Sequence, residues 1–136
     1  MDIALQPAFE RVLDQMAKDA RAVPTPGVAM VGVLKDERSF DWTFDFRVVD
    51  RILREEGAEE PANFFAVVCS KVGEMITTFK DSGSGVRESV LGETGFRGGA
   101  IAPHNGGYVV CAFSGGTSDE DYAISKAALA TLKGLI

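Results

Sequence analysis

The residues Phe113-Ser-Gly-Gly-Thr-Ser-Asp-Glu-Asp121 join an apolar strand pattern to a helical one, with a glycine pair at the junction. Free backbone N–H groups at such a helix start can hold a phosphate. The same residues can instead satisfy themselves. Thr117 stands three positions before Glu120, and Ser118 three before Asp121, the spacing of a capping box. Asp119, Glu120 and Asp121 place carboxylates in the first turn, where they complement the helix dipole and repel an anion. There is no Walker lysine and no G-x-G-x-x-G. The stretch is therefore expected to be a sharp turn with its own acidic cap. Any ligand is expected beside the Gly-rich segment that precedes it.

Four side chains stand as candidates for holding a ligand: Lys71, Arg87, Arg97 and His104. Lys71 is a lone cation in an apolar helical pattern. Either its ammonium reaches the surface or it pairs with a carboxylate, and a lowered pKa would suit it to acid–base work. Arg87 and Arg97 lie in Asp81–Gly99, where six of nineteen residues are glycine. Arginines on such a loop can receive the carboxylates of a small acid or of haem, or they can offset Glu88 and Glu93 nearby. His104 is the only histidine and sits in a turn signal, His104-Asn-Gly106. No serine or cysteine is tied to it by spacing, so a triad has no support. As a metal or haem ligand it would need water, another residue type or a neighbouring subunit opposite it. Cys69 and Cys111 lie in apolar segments without a C-x-x-C spacing. They read as small core side chains in a reducing, cytoplasmic setting.

The elements that must position these groups follow from periodicity. Phe9, Val12, Leu13, Met16 and Ala20 recur at helical spacing after Pro7, and Pro24 and Pro26 end that helix. Gly27–Leu34 is apolar on both faces, as in a central strand. Ser39–Val48 alternates, with Phe40, Trp42, Phe44, Phe46 and Val48 on one side, which predicts a strand with that side buried. Val49–Glu60 is charged and has room for a short helix. A helix apolar over much of its surface is predicted to open at Pro61 and run to Phe79, packed on the sheet and another helix or in a subunit contact. Strands at Gly99–Pro103 and Gly107–Phe113 form a hairpin, and a helix runs from Ser118 to Lys133. The order predicts a single α+β domain over residues 1–136, with helices on an antiparallel sheet.

The net charge of −6 argues against nucleic acid and against an anionic membrane surface. No run of apolar residues is long enough to span a bilayer, and Met1-Asp2-Ile3 opens no secretory signal pattern.

Gly98-Gly99, Ser114-Gly115-Gly116, Glu120-Asp121 and Ala123 follow a pattern that resembles the GlcG/HbpS-like family, also called the haem-degrading domain family. Ser70-Lys71 matches a lysine usual in the middle helix of that family. The likeness covers about Pro61 to Leu132; the first hairpin, with Leu34-Lys-Asp-Glu-Arg-Ser39, departs from it. The resemblance implies a profilin-like domain with a five-stranded antiparallel sheet flanked by helices. It also implies assembly into dimers or larger rings, and haem or another tetrapyrrole as ligand in some members. Three functions are thus expected in order: a small oligomeric binding domain, a ligand-free assembly module, and an enzyme on a small organic acid.

Overall fold

The computed structural model describes residues 3–55, 57 and 59–136. The elements are α1 (Gln6–Ala22), β1 (Gly27–Leu34), β2 (Trp42–Val49), β3 (Leu53–Arg54), β4 (Ala62–Asn63), α2 (Phe64–Thr78), β5 (Gly99–His104), β6 (Gly107–Ser114) and α3 (Ser118–Leu135). The main sheet has four antiparallel strands in the order β2-β1-β6-β5. The fold is α+β, as the periodicity predicts.

Strand alternation divides the core in two. Ala29, Val31 and Val33 of β1, with Val109, Cys111 and Phe113 of β6, face α1 and α3. Val28, Met30, Val110 and Ala112 face α2 on the opposite side. Both central strands are therefore buried on both faces, which is why β1 carries no polar side chain. Phe9, Val12, Leu13 and Met16 make the inner stripe of α1, and each contributes about 1.5–3 kcal/mol by its burial.

Several expectations change. The main sheet has four strands rather than five. Asp50 adopts a left-handed φ of 66°, the Arg51 N–H turns back onto the Val49 carbonyl at 2.8 Å, and the chain leaves the sheet. Leu53–Arg54 then pairs only with Ala62–Asn63. The short helix allowed in this charged stretch is replaced, in the described residues, by that small hairpin; Glu56 and Ala58 lie outside them, as do Met1 and Asp2.

The middle helix begins at Phe64, not Pro61, because the Asn63 side chain accepts from the Ala66 N–H and caps it there. Its buried residues are Phe64, Val68, Lys71, Val72, Glu74 and Met75, while Phe65, Cys69 and Ile76 are half-buried. Hydrophobicity alone predicts a stripe of Phe65, Val68, Cys69, Val72, Ile76 and Phe79 widened by Phe64, Val67 and Met75; of these, Phe64, Val68, Val72 and Met75 are the buried ones.

Of the aromatic side predicted for this strand, Trp42 packs against the core under α2, but the rest stays largely outside it. Phe40, Phe44, Phe46 and Val48 are 57, 36, 47 and 39% exposed. The helix α2 lies over β6 and β1, the middle of the sheet, and leaves the margin of β2 open. The rings pack on one another instead: Trp42 stacks on Phe44 at 5.5 Å, and Phe46 meets Phe65 edge-on at 4.9 Å.

Candidate functional site

The last residues of β6 end the sheet between α2 and α3, which lie on opposite faces. Beyond that end the two helices meet. Lys71 of α2 donates from Nζ to Oδ2 of Asp121 at 3.0 Å and to the Phe113 carbonyl at 2.7 Å. The two side chains are 2% and 5% exposed. Asp121 Oδ1 also accepts from the Gly116 N–H at 2.9 Å, so one carboxylate joins α2, α3 and the glycine turn. Burial pushes the Lys71 ammonium below its ordinary pKa and the Asp121 carboxyl above its own, and the attraction between them works against both changes. The ammonium has three N–H donors, and these two bonds use two.

Glycine is required around this pair. A Cβ on Gly98, at φ 141°, would lie 2.5 Å from Lys71 Nζ and 2.9 Å from the Asp121 Cβ. On Gly115, at φ 151°, it would lie 1.9 Å from the Pro26 carbonyl oxygen. Gly98, Gly115, Gly116, Lys71 and Asp121 thus converge on one place.

Above the ion pair opens a cleft of about 330 Å³. Its walls include Arg54, Phe64, Phe96, Arg97 and the Gly115-Gly116 turn. A second cleft of about 310 Å³ shares Arg54 and the glycine turn and adds Arg51. The two clefts thus bring together Arg51, Arg54, Lys71 and Arg97 with the carboxylates of Glu59, Glu120 and Asp121. Arg97 lies over the Tyr122 ring at 4.2 Å and pairs with Asp119, which is 91% exposed. Arg54 donates to the Glu60 carbonyl at 2.7 Å and pairs at 3.4 Å with Glu59, which is 71% exposed. Ion pairs with such exposed carboxylates are worth about 0–1 kcal/mol, so a ligand anion displaces them at little cost.

Of the four candidates, the structure brings together Lys71 and Arg97. Arg87 belongs to the loop's own fastening: it grips Glu93 through two bonds of 2.7 and 2.8 Å. His104 ends β5, and its Nε2 lies 3.1 Å from the Ile136 carbonyl. The Gly-rich segment is tied down rather than free. Glu74 Oε2 accepts from Gly83, Ser70 Oγ from the Thr94 N–H, and Asp81 Oδ2 from Tyr122.

The glycine turn is capped as its spacing predicts. Thr117 and Glu120 form a complete capping box. Asp121 does something else: it turns inward to Lys71. The cleft is lined by both the end of the Gly-rich segment and the Gly115-Gly116 turn. Asp121 and Arg54 were not singled out as site residues by the sequence. The available signal for Asp121 was a second acidic residue beside an already complete capping box; Arg54 had none.

The lining of the cleft fits haem poorly. None of its side chains is a histidine, methionine, cysteine or tyrosine that would take an axial position. Among the described residues, no group of three or more His, Cys, Asp or Glu side chains is gathered to hold a metal ion. No helix of the described residues is long and apolar enough to cross a membrane. Compared with known proteins, the chain matches no family model, no curated sequence and no solved structure.

Proposed function

We propose that this chain is a small-molecule-binding domain of profilin-like build that takes a small organic anion in the cleft above Lys71. The observation that carries the proposal is a buried, hydrogen-bonded ammonium at the floor of a cleft walled by arginines and a glycine turn. Arg97 and Arg54 exchange their exposed carboxylate partners for the ligand. The Gly115-Gly116 turn adds bare backbone to the wall, with the Gly116 N–H held by Asp121, so the arginines supply the charge that attracts the anion. Phe64 and Phe96 supply the apolar wall that such a pocket needs.

A carboxylate or phosphate compound suits this residue set better than a tetrapyrrole, for which the cleft offers no axial donor. The resemblance to the GlcG/HbpS-like family supports a binding role and leaves haem as the competing ligand. An acid–base role for Lys71 ranks below binding because Asp121 and the Phe113 carbonyl already hold two of its donors. The two free thiols, one buried, are consistent with the cytoplasmic setting that forms part of the proposal.

The test is a titration of the labelled protein followed by backbone amide NMR, using sodium phosphate, lactate and malate in turn, then haemin. Saturable shifts at Gly115, Gly116 and Arg97 with one of the small anions, lost in Arg97→Ala, are expected. Absence of such shifts at millimolar anion overturns the proposal. Saturable haemin binding with no effect of the small anions returns the ligand to the tetrapyrroles.

A further inference from the structure

The two edges of the main sheet are finished differently. On β5 the outward positions alternate through Gly99, Ile101 and Pro103. The Gly99 N–H donates to Ser82 Oγ at 2.9 Å and the Ile101 N–H to Asp81 Oδ1 at 3.0 Å. Pro103 has no N–H to offer. That edge is closed against another strand.

The β2 edge is open. Among the described residues, no strand lies beyond it in the sheet. The outward N–H of Phe46 is met only by the adjacent Asp45 side chain, at 2.8 Å, a local bond that a facing carbonyl can replace. Along the same strand Phe44, Phe46 and Val48 stand 36, 47 and 39% exposed on one side, with Phe65 beneath Phe46. A long, apolar, unpaired edge is a template for pairing with another chain.

We propose that β2 pairs antiparallel with β2 of a second copy, about a two-fold axis through Phe46, to make one continuous sheet. The charge pattern of the strand selects both the occupant and the register. In an antiparallel pair, opposed residues share a face. Only registers that set aromatic positions against aromatic positions keep that row on one side.

With Phe46 on the axis, Asp45 faces the partner's Arg47, and Arg47, which pairs within its own chain with the exposed Asp14, faces the partner's Asp45, two opposite-charge pairs. Phe44 then faces the partner's Val48. An axis at Asp45 would oppose two carboxylates, and one at Arg47 two guanidiniums. An axis at Phe44 sets Asp45 against Thr43 and leaves Arg47 to face only Asp41, which lies outside the strand. Phe46 also carries its N–H outward, so two copies on the axis exchange a pair of backbone hydrogen bonds. The pairing needs no ligand in the cleft, so the two proposals stand or fall separately. It also moves the expected subunit contact from the middle helix to the sheet edge.

Sedimentation velocity over a concentration series tests the assembly. A concentration-dependent dimer is expected, and Phe46→Lys is expected to be a monomer with an unchanged circular dichroism spectrum. Mild oxidation tests the register in a Cys69→Ala background. Facing residues of a hydrogen-bonded antiparallel pair have Cα atoms about 5.5 Å apart, within disulfide reach. Phe46→Cys is therefore expected to crosslink two chains, and Phe44→Cys is not. A monomer at every concentration overturns the proposal, as does a dimer that survives Phe46→Lys. So does a dimer that fails to crosslink at position 46, or that crosslinks at position 44 as readily.

Discussion

Lys71 and Asp121 stand 50 positions apart in the chain and 3.0 Å apart in the fold. Each comes from a helix on a different face of the sheet. They meet because β6 ends at Ser114 and Gly98 leaves room above the junction. The pair fastens α2 to the first turn of α3 and forms the floor of the proposed binding cleft. Taking these charges out of water is costly, so the geometry holds only while both partners and their hydrogen bonds are present.

Removing one partner leaves the other charged and buried. Lys71→Met and Asp121→Leu are each expected to cost about 3–5 kcal/mol. The double variant is expected to cost less than the sum, by a coupling of about 1–3 kcal/mol. Urea unfolding of the four proteins measures this. A double variant that equals the sum would show that the two side chains do not act together.

Gly98 is predicted to be intolerant of any side chain. Gly98→Ala forces a Cβ to 2.5 Å from Lys71 Nζ at a φ of 141°. Overpacking and backbone strain together are expected to cost about 2–4 kcal/mol. Gly85→Ala is the comparison: its φ is 73° and nothing lies within 4 Å of the added Cβ. It carries the left-handed backbone cost alone, about 1–2 kcal/mol. Equal losses in thermal unfolding would mean that contact with the ion pair contributes nothing at Gly98.

The Arg87–Glu93 clasp predicts an acid-dependent step in stability. The guanidinium lowers the Glu93 carboxyl from 4.5 to about 2. The folded pKa lies below the unfolded one, so the contribution is complete above about pH 4.5 and is lost as the pH falls towards 2. Glu93→Gln should therefore melt below the parent chain at neutral pH. The gap should narrow below pH 4.5 and close near pH 2. A gap that does not change with pH would place its cause outside this ion pair.

Much of the fold is legible in the chain because period and turn chemistry are local properties. The stripe of α1, the doubly buried β1 and the capping box of Thr117 and Glu120 can each be read within a few residues. The Asn105-Gly106 turn, with φ values of 48° and 82°, is a further case. The β2 alternation was equally clear, yet burial did not follow from it. Alternation says that one face is apolar, and the position of α2 decides whether anything covers that face.

The candidate site was legible only in pieces. Lys71 could be seen as a cation that needed an explanation, and Arg97 as a side chain near glycines. Their meeting could not be seen, nor could the dispersal of Arg87 and His104.

By itself the amino-acid sequence determined the α+β class, the order of the principal helices and strands, and the self-capped start of α3. These depend on neighbours in the chain. Tertiary structure decided that Asp121 turns inward to Lys71 and that Arg54 and Arg97 share a cleft. It also closed the β5 edge and left the β2 edge open. Those outcomes depend on which faces and strand ends packing brings together, over separations that no local pattern records.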